Sequence, residues 1–511
     1  MDGNHEQYTS YWGHLWKQYK RHRLGLIGLC VVFAFCLVGI YAPFLASSKP
    51  IFVVYDGQPY FPLFRYLFYT EFFTKRLDIF FNLLIFTFPL FLLCLFTLRH
   101  KRKWLALAWI ALCALQIILF LYLIYRKPHD PASDPKLTQE RQLALKNDRR
   151  PDWAFDLRFM NPYAKLNMIL RFQQREEQHK RIEAYLQSHS NNSGAPLSIE
   201  PPPTLWQIDL NRENEQIERA QKIILSLEQK GDRGSEEYLD AQAKVQFLQD
   251  RRQWLEEQTH KLQYLIMPLV RPFHWEDDAG GEQSLNQHIP WWELTRINRK
   301  DLVAALIFGV RISLVVGLLA VWIALMIGIP IGAYAGYYGG TFDILVSRML
   351  EIWESMPTFF MLLMIVAITQ SKSIFLVIAV IGLFGWTGFS RYIRGEFFKQ
   401  RNLPYVEAGH ALGYSESHLM FIHIMPNAIP PLLTLLPFAI MGAITSEAGL
   451  SFLGLGEEGS CSWGVLMDEG RTAFPGESYL LWPPAILLTI LLIAIALVGD
   501  ALRDALDPKL E

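Results

Sequence analysis

No Gly-x-x-x-x-Gly-Lys-[Ser/Thr] segment occurs in the 511 residues, so the chain has no loop of that kind to cradle nucleotide phosphates. A chain that binds and hydrolyses nucleotide through such a loop is therefore excluded. Cysteine is scarce: of Cys30, Cys36, Cys94, Cys113 and Cys461, none stands at short metal-ligand spacing and the first four lie in apolar runs. Neither a disulfide framework nor a zinc site is expected. Net charge is also nearly absent, at -1, because acidic and basic residues balance. No partner follows from its sign, and no nucleic-acid partner is expected. Plentiful instead are apolar residues, 51% of the chain, and aromatics, 14%, in long uncharged runs separated by dense charged stretches. That pattern points to a membrane protein.

A bilayer core takes about 20 apolar helical residues. The first such run is Leu24 to Leu45, behind Lys17, Lys20, Arg21 and Arg23. It has no small-residue cleavage pattern after Pro43, so a retained anchor is expected, with the basic cluster and the N-terminus in the cytoplasm. Leu77 to Leu98 and Trp104 to Tyr125 form a hairpin of spans around Arg99, His100, Lys101, Arg102 and Lys103. Five more spans are expected at Ile312 to Ala335, Val346 to Thr369, Ile374 to Tyr392, Ala428 to Ile444 and Leu480 to Asp500. Eight crossings return both termini to the cytoplasm and put Arg391, Arg394, Lys399 and Arg401 on the same side, as the positive-inside rule asks.

Between the two groups of spans, about Lys127 to Lys300, the chain is polar and is expected outside the membrane. Ile217, Ala220, Ile224 and Leu227 recur at helical spacing, as do Ala241, Val245, Leu248, Leu255 and Leu262, with Arg252 interrupting. A break at Lys230 to Gly234 lets two helices fold back as a hairpin, and Ser190 to Pro203 reads as a linker. The hairpin is either a solvated spacer or a docking surface for a binding protein or envelope component.

The stretch NLPYVEAGHALGYSESHLMFIHIMPNAIP, from Asn402, is helical in pattern and too polar to cross a bilayer. Pro404 suits a first helical turn; Glu407, Ala408, Gly409, Ala411 and Leu412 give a small, closely packable surface; Gly413 ends the helix; Leu419, Met420 and Ile422 lead to Pro426. Such a segment suits mechanical coupling better than catalysis. The order Glu407-Ala408-Gly409, then Gly413, then His423-Ile424-Met425-Pro426-Asn427 resembles the EAA loop of ABC importer permeases, in the His-x-x-Pro-Asn form of the oligopeptide and dipeptide branch. Further segments similar to that family are HLWKQYKRHRLGLIGL with APFLA, KPIFVVYDGQPYFP, Phe308 to Gly340, EIWESMPT, EAGLSFLGLG with SWGVLMDEGR, and GDALRDALDP. Two departures stand out. Gly409 replaces the family's usual Ala, and LTRINRKD at Leu294 to Asp301 keeps little of a Gly-Thr-Asp-x-x-Gly-Arg-Asp signature.

The resemblance implies an all-α polytopic protein with the type I ABC importer transmembrane fold, extended by an extra transmembrane hairpin and an extracytoplasmic helical insertion. The expected organisation is 1–45, N-terminus and first span; 46–126, an extracytoplasmic segment and the hairpin; 127–300, the insertion; and 301–511, a permease core of five spans with a coupling loop at 394–427. Implied partners are a homologous second permease subunit, two ABC ATPase subunits that use ATP and Mg, a periplasmic or lipid-anchored substrate-binding protein, a peptide cargo, and the bilayer of a bacterial inner membrane. Nickel chelates and modified peptides are related cargoes. The chain itself is implied to be no enzyme and to bind no cofactor. Glu407, Ala408, Gly409, Gly413, His423, Pro426 and Asn427 are the implied ATPase-coupling residues.

Carboxylates at membrane depth are costly, so Glu351, Glu354 and Glu447 are candidates for the translocation path, or else hydrogen-bond between helices. His410, His418 and His423 lie close in sequence, but five residues between His418 and His423 do not place both on one α-helical face, and no metal site is expected. Gly336, Gly339 and Gly340 read as a tight turn flanked by interfacial tyrosines. Ser451 to Gly456 reads as a helix end. A reading from another class is a membrane sensor or scaffold that uses the helical hairpin outside.

Overall fold

A computed structural model describes residues 11–69, 75–98, 101–126, 128–147, 157–193, 203–270, 302–457, 459–472, 474 and 480–506. The stretch Leu294 to Asp301, the turn residues Arg99 and His100, and most of the expected linker at Ser190 to Pro203 lie outside the described residues. The chain divides into two compact units, 1–39 with 308–511, and 40–307. Among the described residues seven helices are long and apolar enough to cross a membrane, and a bent pair raises the count to eight.

In the first unit the N-terminal span is Arg23–Ile40, preceded by a short amphipathic helix, Tyr11–Tyr19. The next span is a 37-residue helix, Leu302–Tyr338, longer at both ends than its apolar run alone predicts. At 1.5 Å per residue it reaches about 55 Å, well beyond the apolar thickness of a bilayer. Its second half carries Gly328, Gly332 and Gly336 at intervals of four, along one helical face. A Cβ at Gly328 would sit 2.6 Å from the Trp386 carbonyl oxygen, and one at Gly336 would sit 2.5 Å from that of Arg394; at Gly332 it would strike the Ser390 carbonyl. The helix Ile374–Gln400 therefore touches this face backbone to backbone. From the opposite side Gly382 makes the same kind of approach, its missing Cβ falling 2.8 Å from the Ala320 carbonyl. Small residues four apart are the usual device for close packing where lipid gives no hydrophobic driving force between helices. Gly336 thus belongs to this seam, and only Gly339 (φ 65°) and Gly340 (φ 59°) make the turn expected of all three.

Three spans depart from expectation for reasons visible in their prolines and flanks. The single helix Val346 to Thr369 is two, Gly340–Ser355 and Thr358–Thr369, bent by 73°. Pro357 disfavours helical geometry in the residue before it, and Met356 is extended at ψ 115°. The run Ala428 to Ile444 is likewise split between Met425–Leu433 and Leu436–Leu450, where Pro430, Pro431 and Pro437 each lack an N–H to donate. Ile374 to Tyr392 continues to Gln400, because the basic residues after Tyr392 remain helical beyond the apolar stretch. The helix Leu436–Leu450 ends through a widened turn, Ser451–Leu455, with Gly454 at φ 81°, as a helix end at Ser451 to Gly456 requires. Trp463, buried on the helix Trp463–Thr472, fills the space left by Gly309 and meets Phe35 of the N-terminal span edge to face at 6.1 Å.

The second unit holds the extra hairpin, Arg76–Leu98 against Arg102–Arg126. Gln116 bridges it, donating to the Phe80 carbonyl at 2.9 Å and accepting from the Thr87 hydroxyl at 2.8 Å. An antiparallel sheet absent from the all-α expectation follows β2-β1-β3, with β1 Phe52–Tyr55, β2 Gln58–Tyr60 and β3 Leu262–Ile266. Asp56 (φ 50°) and Gly57 (φ 75°) supply the two positive φ values of a tight hairpin turn. Leu262 is therefore on a strand, and the helical stripe stops at Leu255. The expected helix pair is present as Leu205–Gln229 and Glu236–Thr259, capped by Thr204 and Ser235, but a third helix, Pro162–Ser193, packs against both. It runs to Ser193, into the stretch read as linker. Its Leu166 and Leu170 close a core with Val53 of β1.

The glycine seam yields a prediction. Gly332→Leu forces a side chain against the Ser390 backbone and should cost about 1–3 kcal/mol, as overpacking of a close-packed site does. Thermal unfolding of the detergent-solubilised chain reads it, with Gly388→Leu, where a Cβ meets nothing within 4 Å, as the neutral comparison.

Candidate functional site

The polar stretch after Ile374–Gln400 folds as a short helix, Pro404–Ala411, followed by a turn and a second helix that starts at Glu416 and runs on through Pro426. Leu403 caps the first with Pro404 in its first turn, where a missing N–H costs nothing. Glu407 also lies in that turn, where a carboxylate complements the helix dipole. Gly413 ends it at φ 77°. The Gly413 N–H donates to the His410 carbonyl at 2.9 Å and the Tyr414 N–H to that of Gly409 at 3.1 Å, the paired bonds of a Schellman ending. Gly413 is thus required by backbone geometry.

Val406 and Gly409 face inward and are buried; Glu407, Ala408, Ala411 and Leu412 face outward. Gly409 has a packing reason: a Cβ there would lie 2.5 Å from Leu419 Cδ2, and Leu419 is fully buried. Leu419 takes the volume that the more usual Ala would occupy.

The second helix is widened over Leu419–Ile424, where the Met425 N–H reaches back five residues to the Met420 carbonyl. The cause lies just ahead: Pro426 cannot donate to the preceding turn. Asn427 compensates by donating from its side-chain amide to the His423 carbonyl at 2.8 Å. Nearby, the Tyr405 hydroxyl donates to Gln400 Oε1 at 2.6 Å. Burial pushes the Tyr405 hydroxyl up, and the Asn427 side chain pulls it partly back. Widening also brings His418 and His423 onto one side, with ring centroids 5.2 Å apart, and His423 stacks on Tyr414 at 5.5 Å. The α-helical spacing that separates their faces does not apply in a wide turn. His423 thus braces the loop through Tyr414.

Contacts that the sequence did not reveal, some made by basic residues it had marked only for their charge, hold this loop to the transmembrane helices. Arg401 donates to the carbonyls of Gly336 and Tyr337 at 3.3 and 3.1 Å, closing the C-terminus of Leu302–Tyr338. The Tyr337 hydroxyl donates to Glu416, which lies 3.8 Å from His410. Arg394 makes a two-pronged pair with Asp343 at the start of the broken span. These contacts join residues 51 to 79 positions apart, and no local spacing announces them.

The candidate acids fall in two settings. Glu351 pairs with Arg348 at 2.6 Å and Glu354 with Arg391 at 2.7 Å, both exposed on Gly340–Ser355. Glu447 is buried and accepts from the hydroxyls of Ser451 and Ser462 at 2.7 and 2.6 Å through one oxygen.

Apolar helices sufficient for seven or eight crossings among the described residues, joined to a polar loop helix with an exposed outward face, define a multi-pass membrane protein. Two family descriptions match: binding-protein-dependent transport system inner membrane component over residues 328–511, and N-terminal TM domain of oligopeptide transport permease C over residues 10–62. Among curated relatives, the peptidoglycan transport system permease protein YejE of Agrobacterium fabrum is 38% identical over 219 residues, 43% of this chain and 57% of that protein. The oligopeptide transport system permease protein OppC of Haemophilus influenzae is 32% identical over 247 residues, 48% of this chain and 79% of that protein. Its Escherichia coli counterpart is 36% identical over 248 residues, 48% of this chain and 82% of that protein. The chain belongs to the binding-protein-dependent transport permeases, the inner-membrane components of ABC importers. Membership implies ATPase, second-permease and binding-protein partners in general terms and disfavours the sensor or scaffold reading.

The Gly409 and Leu419 contact is testable by a double-mutant cycle. Gly409→Ala alone should destabilise by up to about 2 kcal/mol, overpacking outweighing the gain in helix propensity. In a Leu419→Val background the same change should be stabilising by about 1 kcal/mol, the propensity gain alone. Thermal unfolding of the four proteins measures the coupling.

Proposed function

We propose that this chain is a permease subunit of an ATP-driven importer of peptides, that both its termini are cytoplasmic, and that Pro404–Ala411 is the helix that docks on a separate ATPase. The observation that carries the reading is the loop helix itself: its inward face is locked by Val406, Gly409 and Leu419, while its outward face offers Glu407, Ala408, Ala411 and Leu412 without a covering element among the described residues. Small side chains let a partner surface approach closely, and a rigid backing lets the helix pass on motion. The names of the relatives support peptides as cargo, and the basic residues Arg391, Arg394, Lys399 and Arg401 near the loop support its cytoplasmic placement.

In this reading two such permeases form the translocation path, two ATPases bind ATP and Mg and close, and a binding protein delivers cargo from outside. Closure draws the two loop helices together. Gly413 fixes where each helix ends; His423, Pro426 and Asn427 fix how the following helix leaves; Arg401 and the Tyr337–Glu416 bond carry the displacement into Leu302–Tyr338. Glu351, Glu354 and Glu447 are the carboxylates proposed to shape the path, the first two through ion pairs that cargo or motion can exchange. Glu447 acts through its buried hydroxyl partners.

Replacing Gly413 by Leu strains a left-handed position by about 1–2 kcal/mol and moves the loop helix. Glu407→Trp instead alters only the outward face. Both variants are expected to remain in the membrane, to retain less ATPase on purification, and to lose peptide uptake by at least about tenfold, a loss of at least about 1.4 kcal/mol in coupling. Unchanged uptake in proteoliposomes with the ATPases present contradicts the assignment.

A further inference from the structure

The second unit holds a cleft of about 730 Å³ among Pro162–Ser193, Leu205–Gln229 and Glu236–Thr259, lined also by Ser48 and Lys49. Its apolar lining includes Leu170, Leu210, Leu248 and Leu255. Its walls are strongly charged and of one dominant sign. Lys49, Arg171, Arg175, Arg212, Arg251 and Arg252 line it, against only Asp209 and Glu213, an excess of four positive charges.

Part of this charge is used internally. Arg175 pairs with Asp209, and Arg252 with Glu256 at 3.2 Å. Lys49 donates to Asn167 at 3.2 Å and stands over the Tyr66 ring. Arg251 differs: its Nε is buried and has no hydrogen-bond partner among the described residues. A buried donor left unmade is costly, and several guanidiniums lining one concave wall repel each other unless an anion sits among them. Burial holds the Glu213 carboxyl above its ordinary value while Arg251 and Arg252 draw it down, so this lining carboxylate is itself a poorly solvated counter-charge. Trp206 and Phe172, edge to face at 4.8 Å, form an aromatic rim.

We infer that this cleft is a binding site for a multiply anionic ligand, one whose phosphate or carboxylate groups meet the guanidiniums of Arg212 and Arg251 while its less polar part rests on Trp206 and Phe172. Planar guanidiniums match such oxyanions with paired hydrogen bonds, which a site built of lysines would not offer. A site of this volume admits a small molecule or a lipid headgroup. Ser48 follows the N-terminal span by eight residues and Ala132 follows the second hairpin helix by six, so either a soluble anion or an anionic headgroup can reach the wall they share. The site is independent of the ATPase-docking surface.

The test uses the full chain in nanodiscs. In phosphatidylcholine discs, pyrophosphate is titrated by calorimetry as the soluble probe. In discs containing phosphatidylglycerol, lipid retained on the protein is read by native mass spectrometry. Saturable, salt-sensitive pyrophosphate binding or selective phosphatidylglycerol retention supports the site and distinguishes its source, provided Arg212→Gln with Arg251→Gln weakens it by about tenfold or more. Lys222→Gln, on the same helix and not lining the cleft, should leave it unchanged. Hydrogen exchange on the unmutated protein gives a second reading that does not depend on the variant's folding: pyrophosphate or phosphatidylglycerol should slow exchange at 206–213 and 248–255. Absence of both binding and protection, or binding that the double variant leaves intact, overturns the inference.

Discussion

The rest of the first unit depends on one steric constraint, the backbone contact between Leu302–Tyr338 and Ile374–Gln400 at Gly328, Gly332 and Gly336. In lipid, apolar side chains gain little by leaving the solvent, so two helices associate through close approach and satisfied polar groups. Carbonyls of Trp386, Ser390 and Arg394 lie where three Cβ atoms would otherwise be, which fixes both the rotation and the offset of the two helices. Everything at that end of the pair follows from the offset. It places Arg401 beneath the open carbonyls of Gly336 and Tyr337, and Tyr337 beside Glu416. A loop of about thirty residues is thereby clamped at its start, by Arg401, and at its middle, by Glu416.

The clamp explains why the loop holds polar residues with structural jobs and no constellation for chemistry. His410 faces Glu416, His423 stacks on Tyr414, and Asn427 spans the gap left by Pro426 while touching Tyr405. Each of these groups joins one part of the loop to another, His423 through its ring stacking while its buried Nε2 has no hydrogen-bond partner among the described residues. A general base or nucleophile would need a group aimed at open space with a second group orienting it. What the loop presents outward is a small apolar and acidic face, which is what surface contact requires.

Much of this was legible from residue order. Apolar runs located the spans, Gly413 announced the helix end, and the order Glu407 to Asn427 named the loop. Less legible was anything set by separation along the chain or by departure from α-helical period. The Tyr337–Glu416 bond joins residues 79 apart, and the facing of His418 and His423 arises from a wide turn whose only local cause is Pro426. The break at Met356 and Pro357 was visible as a proline, yet hydropathy averages across it and returns one continuous span. In the second unit the Asp56-Gly57 turn signal was present between Tyr55 and Gln58, but β1 pairs on its other side with β3, more than two hundred residues away. The helix Pro162–Ser193 escaped notice because its apolar stripe is short: Leu166, Ile169 and Leu170 stand at helical spacing, but Ile182 is the next fully buried position and the chain between is mostly polar.

Gly409 shows how these levels meet. A glycine inside an eight-residue helix costs propensity, and a helix so short has little intrinsic stability to lose. Leu419 packed into the vacated volume returns that stability as tertiary contact, and Val406 beside it buries the same face. The helix then exists only while it is seated on the segment that follows it. A helix with strong propensity of its own could lift away under load and remain folded, dissipating motion in the loop. One that is stable only when seated must move with Leu419, and through Glu416 and Tyr337 with the transmembrane helix behind it. Gly409 therefore ties the loop helix to the segment behind it through the Leu419 contact.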